Sequence, residues 1–460
     1  MEDSLLQYLK YYEKLPQWIK YPAGILYSSL PPMVRYGTFY SNFRKRIDYF
    51  LHLPDHESMI NAQQEILFAE VNRSIKEIPF YQQYDSVRCL DDFHRLPVVS
   101  KADYLKDISL FCSSNVSRRL KVNTGGSSGT PLTFYLEKKK SRPKEKAFFD
   151  WFWGNWGYRP NSRILMLRGK PLTHNALYEY QSIKNCLNVS CYELTPGNAS
   201  TVLKEIQKFK PQFIHAYPSA VDVFVRCIGN AAQNCFSELK ALFLGSEFLD
   251  HEEKNRFESF FQAPACAWYG HTECALLGGA LPRDDRLLFF PFYGFFELLD
   301  DAGNVITQPG VTGRIVGTSF DNSVMPFIRY DTGDRGTLSE PVKLGNFFCP
   351  TLARIDGRAQ DLIYLQDGAA VSLTAFIFGQ HFKEFDLIRE MQIEQRELGS
   401  IVLRIVPLNT LTEQNKQAIK DFLEASVSNR LKIQIETVKH IEKTLRGKHR
   451  FLIQHYHTHS

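Results

Sequence analysis

The 460-residue chain has no C-x-x-C pair, no Cys/His zinc spacing, no internal repeat and no low-complexity linker. Its nine cysteines stand singly at 89, 112, 186, 191, 227, 235, 266, 274 and 349. That odd, unclustered set argues for reduced thiols and against a disulfide scaffold or a structural zinc site. No basic start followed by an apolar run appears, and no stretch of about 18 uninterrupted apolar residues occurs. Neither a secretory leader nor a membrane-crossing helix is therefore expected, and the expected compartment is the cytoplasm. An excess of one charge is also missing: 55 Lys and Arg against 50 Asp and Glu leave a formal +5. That is too weak and too mixed to make nucleic acid the natural partner, though it suits an anionic small molecule. What is present is ordinary globular material, 44% hydrophobic and 23% charged, which excludes a disordered or collagenous chain. The length allows about three domains, or one large α/β domain with a small companion.

The first ~95 residues read as helices rich in aromatic and basic residues: Leu5 to Tyr12, a segment around Tyr40 to Leu51, and Ser58 to Lys76, where Ile60, Ile66, Leu67 and Val71 recur at helical spacing. Trp18, Tyr36, Tyr40, Arg44 and Arg46 offer a weak peripheral membrane contact, but ordinary packing is the expected use of such residues. Farther on, strands at Arg163 to Leu167, Phe213 to Ala216, Ala241 to Leu244 and Ala265 to Tyr269 alternate with amphipathic stretches, the pattern of an α/β layer. Asp250 followed by Glu253 marks a helix start by a capping box, which leaves Ser246 and Glu247 on a strand-end loop where such sheets bind ligands. After residue 285 the reading turns β-rich, with strands at Phe295 to Asp300, Arg314 to Ser319 and Asp361 to Leu365. A last α+β unit holds strands Ile401 to Val406 and Ile433 to Thr437 around a helix Glu413 to Ser426. The expected organisation is a helical preamble at 1–95, a large domain at 96–357 and a C-terminal domain at 358–460. His455, His457 and His459 read as a frayed tail rather than a metal site.

Thr124-Gly125-Gly126-Ser127-Ser128-Gly129-Thr130-Pro131 is the most informative stretch. Three glycines and four hydroxyl residues make a loop of exposed amides and hydroxyls that suits phosphate oxygens. It is not a Walker A, because no Lys-Ser or Lys-Thr follows the glycines. Gly125, Ser127 and Gly129 do satisfy the G-x-S-x-G of a hydrolase nucleophile elbow, which requires strand, turn and helix. Pro131 and the β-prone Leu132 to Tyr135 instead predict strand, loop, strand. A hydroxyl-rich hairpin turn without a ligand is the plainer alternative.

Four further motifs follow in order: Tyr269-Gly270-His271-Thr272-Glu273, Arg329-Tyr330-Asp331-Thr332-Gly333-Asp334, Asp356-Gly357-Arg358-Ala359-Gln360-Asp361 and Arg446-Gly447-Lys448-His449-Arg450. Each alone is weak. Together with the loop they resemble the core motifs of the adenylate-forming (ANL) superfamily, most closely its phenylacetate-CoA ligase branch. That branch includes CapK-like capsular-polysaccharide adenylation proteins and synthetases that adenylylate a deazaflavin coenzyme. Leu96 to Lys101, Ala216 to Ala220, Gly245 to Glu247 and Met325 to Tyr330 also look like that branch, so the resemblance spans roughly residues 90 to 455.

The resemblance implies a large adenylate-forming N-terminal domain, with α/β layers and a β-rich subdomain, and a small mobile α+β lid. It implies a two-step reaction in which a carboxylic acid attacks the α-phosphate of ATP, pyrophosphate leaves, and the acyl-adenylate passes its acyl group to a thiol or amine. In-line attack of one anion on another needs positive charge and oriented donors where negative charge builds. By the resemblance, Thr124, Gly125, Gly126, Ser127, Ser128, Gly129 and Thr130 hold the β- and γ-phosphates, and Lys448 bridges the carboxylate and α-phosphate. Tyr269, beside Gly270, stacks on adenine, Thr272 reaches the α-phosphate, Glu273 holds Mg2+, Asp334 accepts the ribose hydroxyls and Arg358 contacts ribose or phosphate. The acyl pocket is expected around Tyr217, Pro218, Gly245, Ser246, Trp268 and His271.

Three positions depart from the pattern. The hinge, usually Asp or Lys, is Gln360, which puts in question the rotation after the first step. Leu132 replaces a lysine past the loop's proline, as is common in this branch. His271 stands where a small residue is typical, either as a polar substrate contact or as a satisfied core histidine. The run Lys138, Lys139, Lys140, Arg142, Lys144 and Lys146 could take the phosphates of coenzyme A, although a solvated helix face is its expected use. Coenzyme A is the default acceptor. An amine or hydroxyl in surface-polysaccharide biosynthesis is the alternative, and a non-catalytic nucleotide- or acyl-binding protein is the rival from another class.

Overall fold

The computed structural model describes residues 15–460 except 124–131, 169–171, 173–175, 192, 233–234, 246–248, 250, 356–361, 374–375, 378–386, 408–409, 442–451 and 457–460. The alternation of apolar strand and amphipathic helix is realised as a parallel layer. Cys186–Ser190, Ile164–Arg168, Phe213–Ala216, Ala241–Gly245 and Ala265–Gly270 lie side by side in that spatial order, all parallel. Tyr178–Gln181 closes the edge antiparallel.

Side chains alternate across this layer with the two-residue period of a strand. Leu165, Leu167, Ile214, Ala216, Leu242 and Leu244 face a core shared with the helices Ala199–Phe209, Pro218–Ile228 and His251–Phe261. Ile164, Phe213, Ala241, Phe243 and Cys266 face a second, aromatic core. Phe148 and Phe152 of helix Ser141–Phe152 fill it, with Phe43, Ile47 and Phe50 of helix Thr38–Leu51. Burial on both faces explains why these strands read as nearly unbroken apolar runs. It also makes the helix read around Tyr40 to Leu51 part of the large domain's core.

Beyond Ala265–Gly270 the sheet continues antiparallel through Leu277–Gly279, Leu287–Phe289, Phe347–Ile355, Tyr330–Leu344, Thr312–Ser319 and Gly294–Leu299. Val99–Ser100 joins in parallel beside Tyr330 and Asp331, making thirteen strands. The strands flanking the glycine-rich loop, Arg119–Asn123 and Thr133–Glu137, pair antiparallel, with Asn123 opposite Thr133. The next helix begins only at Ser141. The loop therefore joins two strands, which removes the strand-turn-helix setting of a nucleophile elbow.

The basic run at 138 to 146 is largely engaged within the fold. Lys140 pairs with Glu137 and Arg142 with Glu145, both at 3.0 Å, and Lys146 pairs with Asp150. Lys144 is 2% exposed. Its ammonium donates to the carbonyls of Tyr293 at 2.7 Å and Phe320 at 2.8 Å and lies 3.2 Å from Asp321. Arg46 clamps the same carboxylate through two bonds of 2.7 and 2.8 Å.

The C-terminal domain has its own sheet, ordered Lys432–Thr437, Ser400–Pro407, Ile388–Glu397, Leu452–Gln454. Helix Glu413–Ser426, started by a capping box between Thr412 and Asn415, buries Ile419 and Leu423 in a separate core with Met391, Ile393, Leu403 and Ile433. The last strand pairs in parallel with Ile388–Glu397, His455 meets Glu394 at 3.0 Å, and the Tyr456 ring packs on Tyr364. The chain is thus tied down through Tyr456, where the sequence had suggested fraying; His457 and His459 lie outside the described residues. Among the described residues no helix is long and apolar enough to cross a membrane.

Candidate active site

Two local irregularities bring the second and third motifs together. The first follows Ala265–Gly270, at the carboxyl end of the last parallel strand. Trp268 pairs in register with Gly245 on the neighbouring strand. A Cβ at Gly245 would sit 2.1 Å from Trp268 Cε2, so the indole lies where only glycine leaves room. The Trp268 indole nitrogen is buried and meets no hydrogen-bond acceptor among the described residues. Beyond Gly270 the chain turns sharply, and Cys274 takes φ +56°. A left-handed conformation at a non-glycine residue is a local strain that the surrounding packing must hold, and it lies next to Glu273.

Glu273 is 6% exposed. Its Oε1 accepts the Tyr330 hydroxyl at 2.7 Å and its Oε2 lies 3.3 Å from His271 Nδ1. The backbone N–H of Leu276 donates to His271 Nε2, so Nδ1 carries the proton given to Glu273. Burial by itself would raise the Glu273 pKa. Hydrogen bonds from His271 and Tyr330 outweigh burial and hold it below the usual carboxylate range, so the carboxylate stays ionised. His271 is thus turned toward Glu273 and satisfied at both ring nitrogens.

The second is a bulge within the strand Tyr330–Leu344, where its pairing with Thr312–Ser319 slips in register. Arg314 holds Asp331 at 2.7 Å, Asp331 accepts the Gly333 N–H at 2.9 Å, and the Thr332 hydroxyl donates to the Ile315 carbonyl and accepts from the Asp334 N–H. Gly333 sits at φ +78°, a conformation glycine adopts without cost. This turn presents Asp334, half-buried, to the Tyr269 hydroxyl, which donates to its Oδ2 at 2.9 Å. The support continues outward. Arg329, itself at φ +44°, donates to Glu297 at 2.9 Å and to the carbonyls of His94 and Leu96, both at 2.7 Å. The segments Leu96 to Lys101 and Met325 to Tyr330 are thereby locked to one another.

Comparison with known proteins adds to this geometry. Residues 363–455 match the family described as the CapK C-terminal domain. Protein CapK of Staphylococcus aureus is 23% identical over 371 residues, covering 79% of this chain and 80% of that protein. A solved structure of 2-hydroxyisobutyryl-CoA ligase, in complex with 2-HIB-AMP and CoA in the thioesterification state, superposes with TM-score 0.53 at 18% identity, covering 86% of this chain and 89% of that one. The same ligase in its post-adenylation state gives TM-score 0.52 at 17% identity. The chain shares the fold of that CoA ligase, and its residues 363–455 match the CapK C-terminal domain family. In this fold the large mixed sheet forms the N-terminal domain and the four-stranded sheet the small one.

On that frame the residues singled out from the sequence divide into two groups. The structure gathers Tyr269, His271, Glu273 and Asp334 through direct hydrogen bonds, with Gly270 and Thr272 in the same segment. It places Trp268, on the same strand as Tyr269, in contact with Gly245 one strand away, and Tyr217 where the large domain's helix-side core meets the core of the C-terminal domain. Pro218 opens the helix that packs there on Ala370–Ser372. Thr124, Gly125, Gly126, Ser127, Ser128, Gly129, Thr130, Ser246, Arg358, Gln360 and Lys448 lie outside the described residues. Tyr330 and Arg314 were assigned no role from sequence, yet one holds Glu273 and the other the Asp334 turn.

Proposed function

We propose that the chain is an ATP- and Mg2+-dependent carboxylate-activating ligase that forms an acyl-adenylate and passes the acyl group to coenzyme A. The observation that carries this reading is the pair of carboxylates held 65 and 57 residues from their tyrosine partners: Asp334 on Tyr269 and Glu273 on Tyr330. An aromatic ring beside a carboxylate suits a nucleoside, the ring for adenine and Asp334 for the ribose hydroxyls. Glu273 fits the second need. It is ionised, with Tyr330 on one oxygen and His271 on the other to fix its orientation. Mg2+ bound mainly through nucleotide phosphates takes one or two protein carboxylates. When bound, the ion neutralises charge building on the phosphates, while His271 and Tyr330 keep the carboxylate fixed and unprotonated.

In this reading Thr272 reaches the α-phosphate, the hydroxyl-rich loop at 124–130 the β- and γ-phosphates, Arg358 the ribose or phosphate, and Lys448 the reacting oxygens. The acid lies near Trp268, Gly245 and Tyr217, with Pro218 and Ser246 at its rim. With His271 committed to Glu273, the buried Trp268 N–H, which meets no acceptor among the described residues, favours an acid with an oxygen there. The C-terminal domain acts as a moving lid whose hinge is Gln360. A second acceptor class, an amine or hydroxyl in surface-polysaccharide assembly, rests on the resemblance of the sequence motifs to that branch.

Asp334→Asn tests the nucleotide site. ATP affinity measured by calorimetry is expected to fall at least about tenfold, the size of one lost charge-assisted hydrogen bond. Unchanged affinity would remove Asp334 and Tyr269 from the site.

A further inference from the structure

Eight of the sixteen large hydrophobic side chains exposed among the described residues fall between positions 15 and 34. Helix Gln17–Ser29 carries Trp18, 76% exposed, with Tyr21, Ile25 and Leu26, the last 69% exposed. Leu30, Met33 and Val34 extend the patch across the next turn. Steric fit explains which side of the helix is fixed. Gly24 is its one buried residue, and a Cβ there would lie 2.0 Å from Ser182 Oγ. Ser182 Oγ donates to the Lys20 carbonyl at 2.8 Å, and Asn161 donates to the Ser28 carbonyl at 2.7 Å. The Gly24 side therefore sits on the sheet edge, with the Tyr21 ring 5.8 Å from Tyr180 of the edge strand, while Trp18, Ile25 and Leu26 are turned away from the protein, the reverse of a helix recruited to a core.

The charge along this segment has one sign. From Lys14 through Ile47 there is no Asp or Glu, against Lys14, Lys20, Arg35, Arg44, Lys45 and Arg46. Arg35 is buried and Arg46 is spent on Asp321, but Lys45 is exposed. Tyr36 and Tyr40, which the sequence grouped with Trp18, are buried in the aromatic core, so the outward apolar set is confined to the helix and its following turn.

We propose that helix Gln17–Ser29 with Leu30, Met33 and Val34 docks the protein on an anionic lipid bilayer, lying in the plane of the interface. A helix of 13 residues cannot span a hydrocarbon core about 30 Å thick, but an outward face of Trp, Ile and Leu in a stretch with basic and no acidic residues is what interfacial binding uses. Trp18 suits the headgroup level, and the acid-free stretch avoids repulsion from the surface. Docking would set the large domain on the membrane, so that an acyl acceptor presented there lies within reach.

Vesicle flotation of the full chain tests this. With vesicles of phosphatidylcholine containing phosphatidylglycerol, wild type is expected to float, with less bound in high salt and little on phosphatidylcholine alone. Trp18→Ser/Leu26→Ser is expected to lose binding at least about tenfold while Tyr49→Ser, exposed elsewhere, keeps it. ATP affinity measured on the same samples should be equal in all three, which separates lost docking from lost folding. Failure of wild type to float, or equal flotation of the double variant, overturns the proposal. So does a dimer that Trp18→Ser/Leu26→Ser converts to monomer without any lipid binding, because the face would then be covered by a second copy.

Discussion

Lys448→Ala is expected to lower acyl-adenylate formation by two to three orders of magnitude while leaving ATP binding nearly intact. The reaction brings a carboxylate against a phosphate, so its barrier contains the repulsion between two anions, and a cation placed between them acts mainly as charge moves to the leaving pyrophosphate. Removing one preorganised donor of this kind costs roughly 10²–10³ in rate. ATP affinity should hold because, in the proposed reading, adenine, ribose and metal are gripped by Tyr269, Asp334 and Glu273 on the other domain. A rate within a factor of about three of wild type, measured in single turnover with saturating acid and ATP, would remove Lys448 from the chemistry. Arg446, Gly447 and Arg450 flank it in sequence, so Lys448→Arg, which keeps the charge, should lie between the two.

Lys144→Met is expected to destabilise the large domain by about 3–5 kcal/mol, the range for breaking a buried ion pair from one side. The loss would be seen as a lower denaturant midpoint in chemical unfolding. Three acceptors lose their donor at once: the carbonyls of Tyr293 and Phe320 and the Asp321 carboxylate, of which only the last retains another cation, Arg46. An acid limb should accompany it. Burial opposes ionisation of Asp321, but Lys144 and Arg46 draw it down to about 2 from an ordinary 3.8. A depressed folded-state value means the stabilisation is complete above about pH 4 and is lost as pH falls toward 2. Lys144→Met should shrink that dependence. A variant as stable as wild type across this range would show that the ammonium is not held as described.

The layers of this fold were legible because each announces itself locally. Phe213–Ala216 and Glu413–Ser426 were read to the residue, and Ala241–Gly245 and Ala265–Gly270 to within one, since buried parallel strands are short apolar runs between polar turns. The hairpin around the glycine-rich loop followed from Pro131 and the β-prone residues after it. Long-range pairing was not legible. Lys144 reads as one cation in a charged run, and only the approach of residues 293 and 320 turns it into a buried ion. Tyr330 reads as a core aromatic of a strand, yet its hydroxyl reaches Glu273. His271 was visible as an unusual residue next to Thr272, but its direction, toward Glu273 rather than the acid, depends on the turn that puts Leu276 N–H on its other nitrogen. The outward face of helix Gln17–Ser29 was hidden for a different reason. Its aromatic and aliphatic residues match a core helix in composition, and only the seat of Gly24 on Ser182 shows which side is turned inward.

Carboxylate-dependent exchange of pyrophosphate into ATP, run over aryl, fatty, hydroxy and amino acids with Lys448→Ala as control, tests the central claim most directly. The account predicts exchange that requires Mg2+, is supported by one class of acid and disappears in the control. Wild type that binds ATP yet exchanges with no acid, or exchange that survives intact in Lys448→Ala, would contradict it.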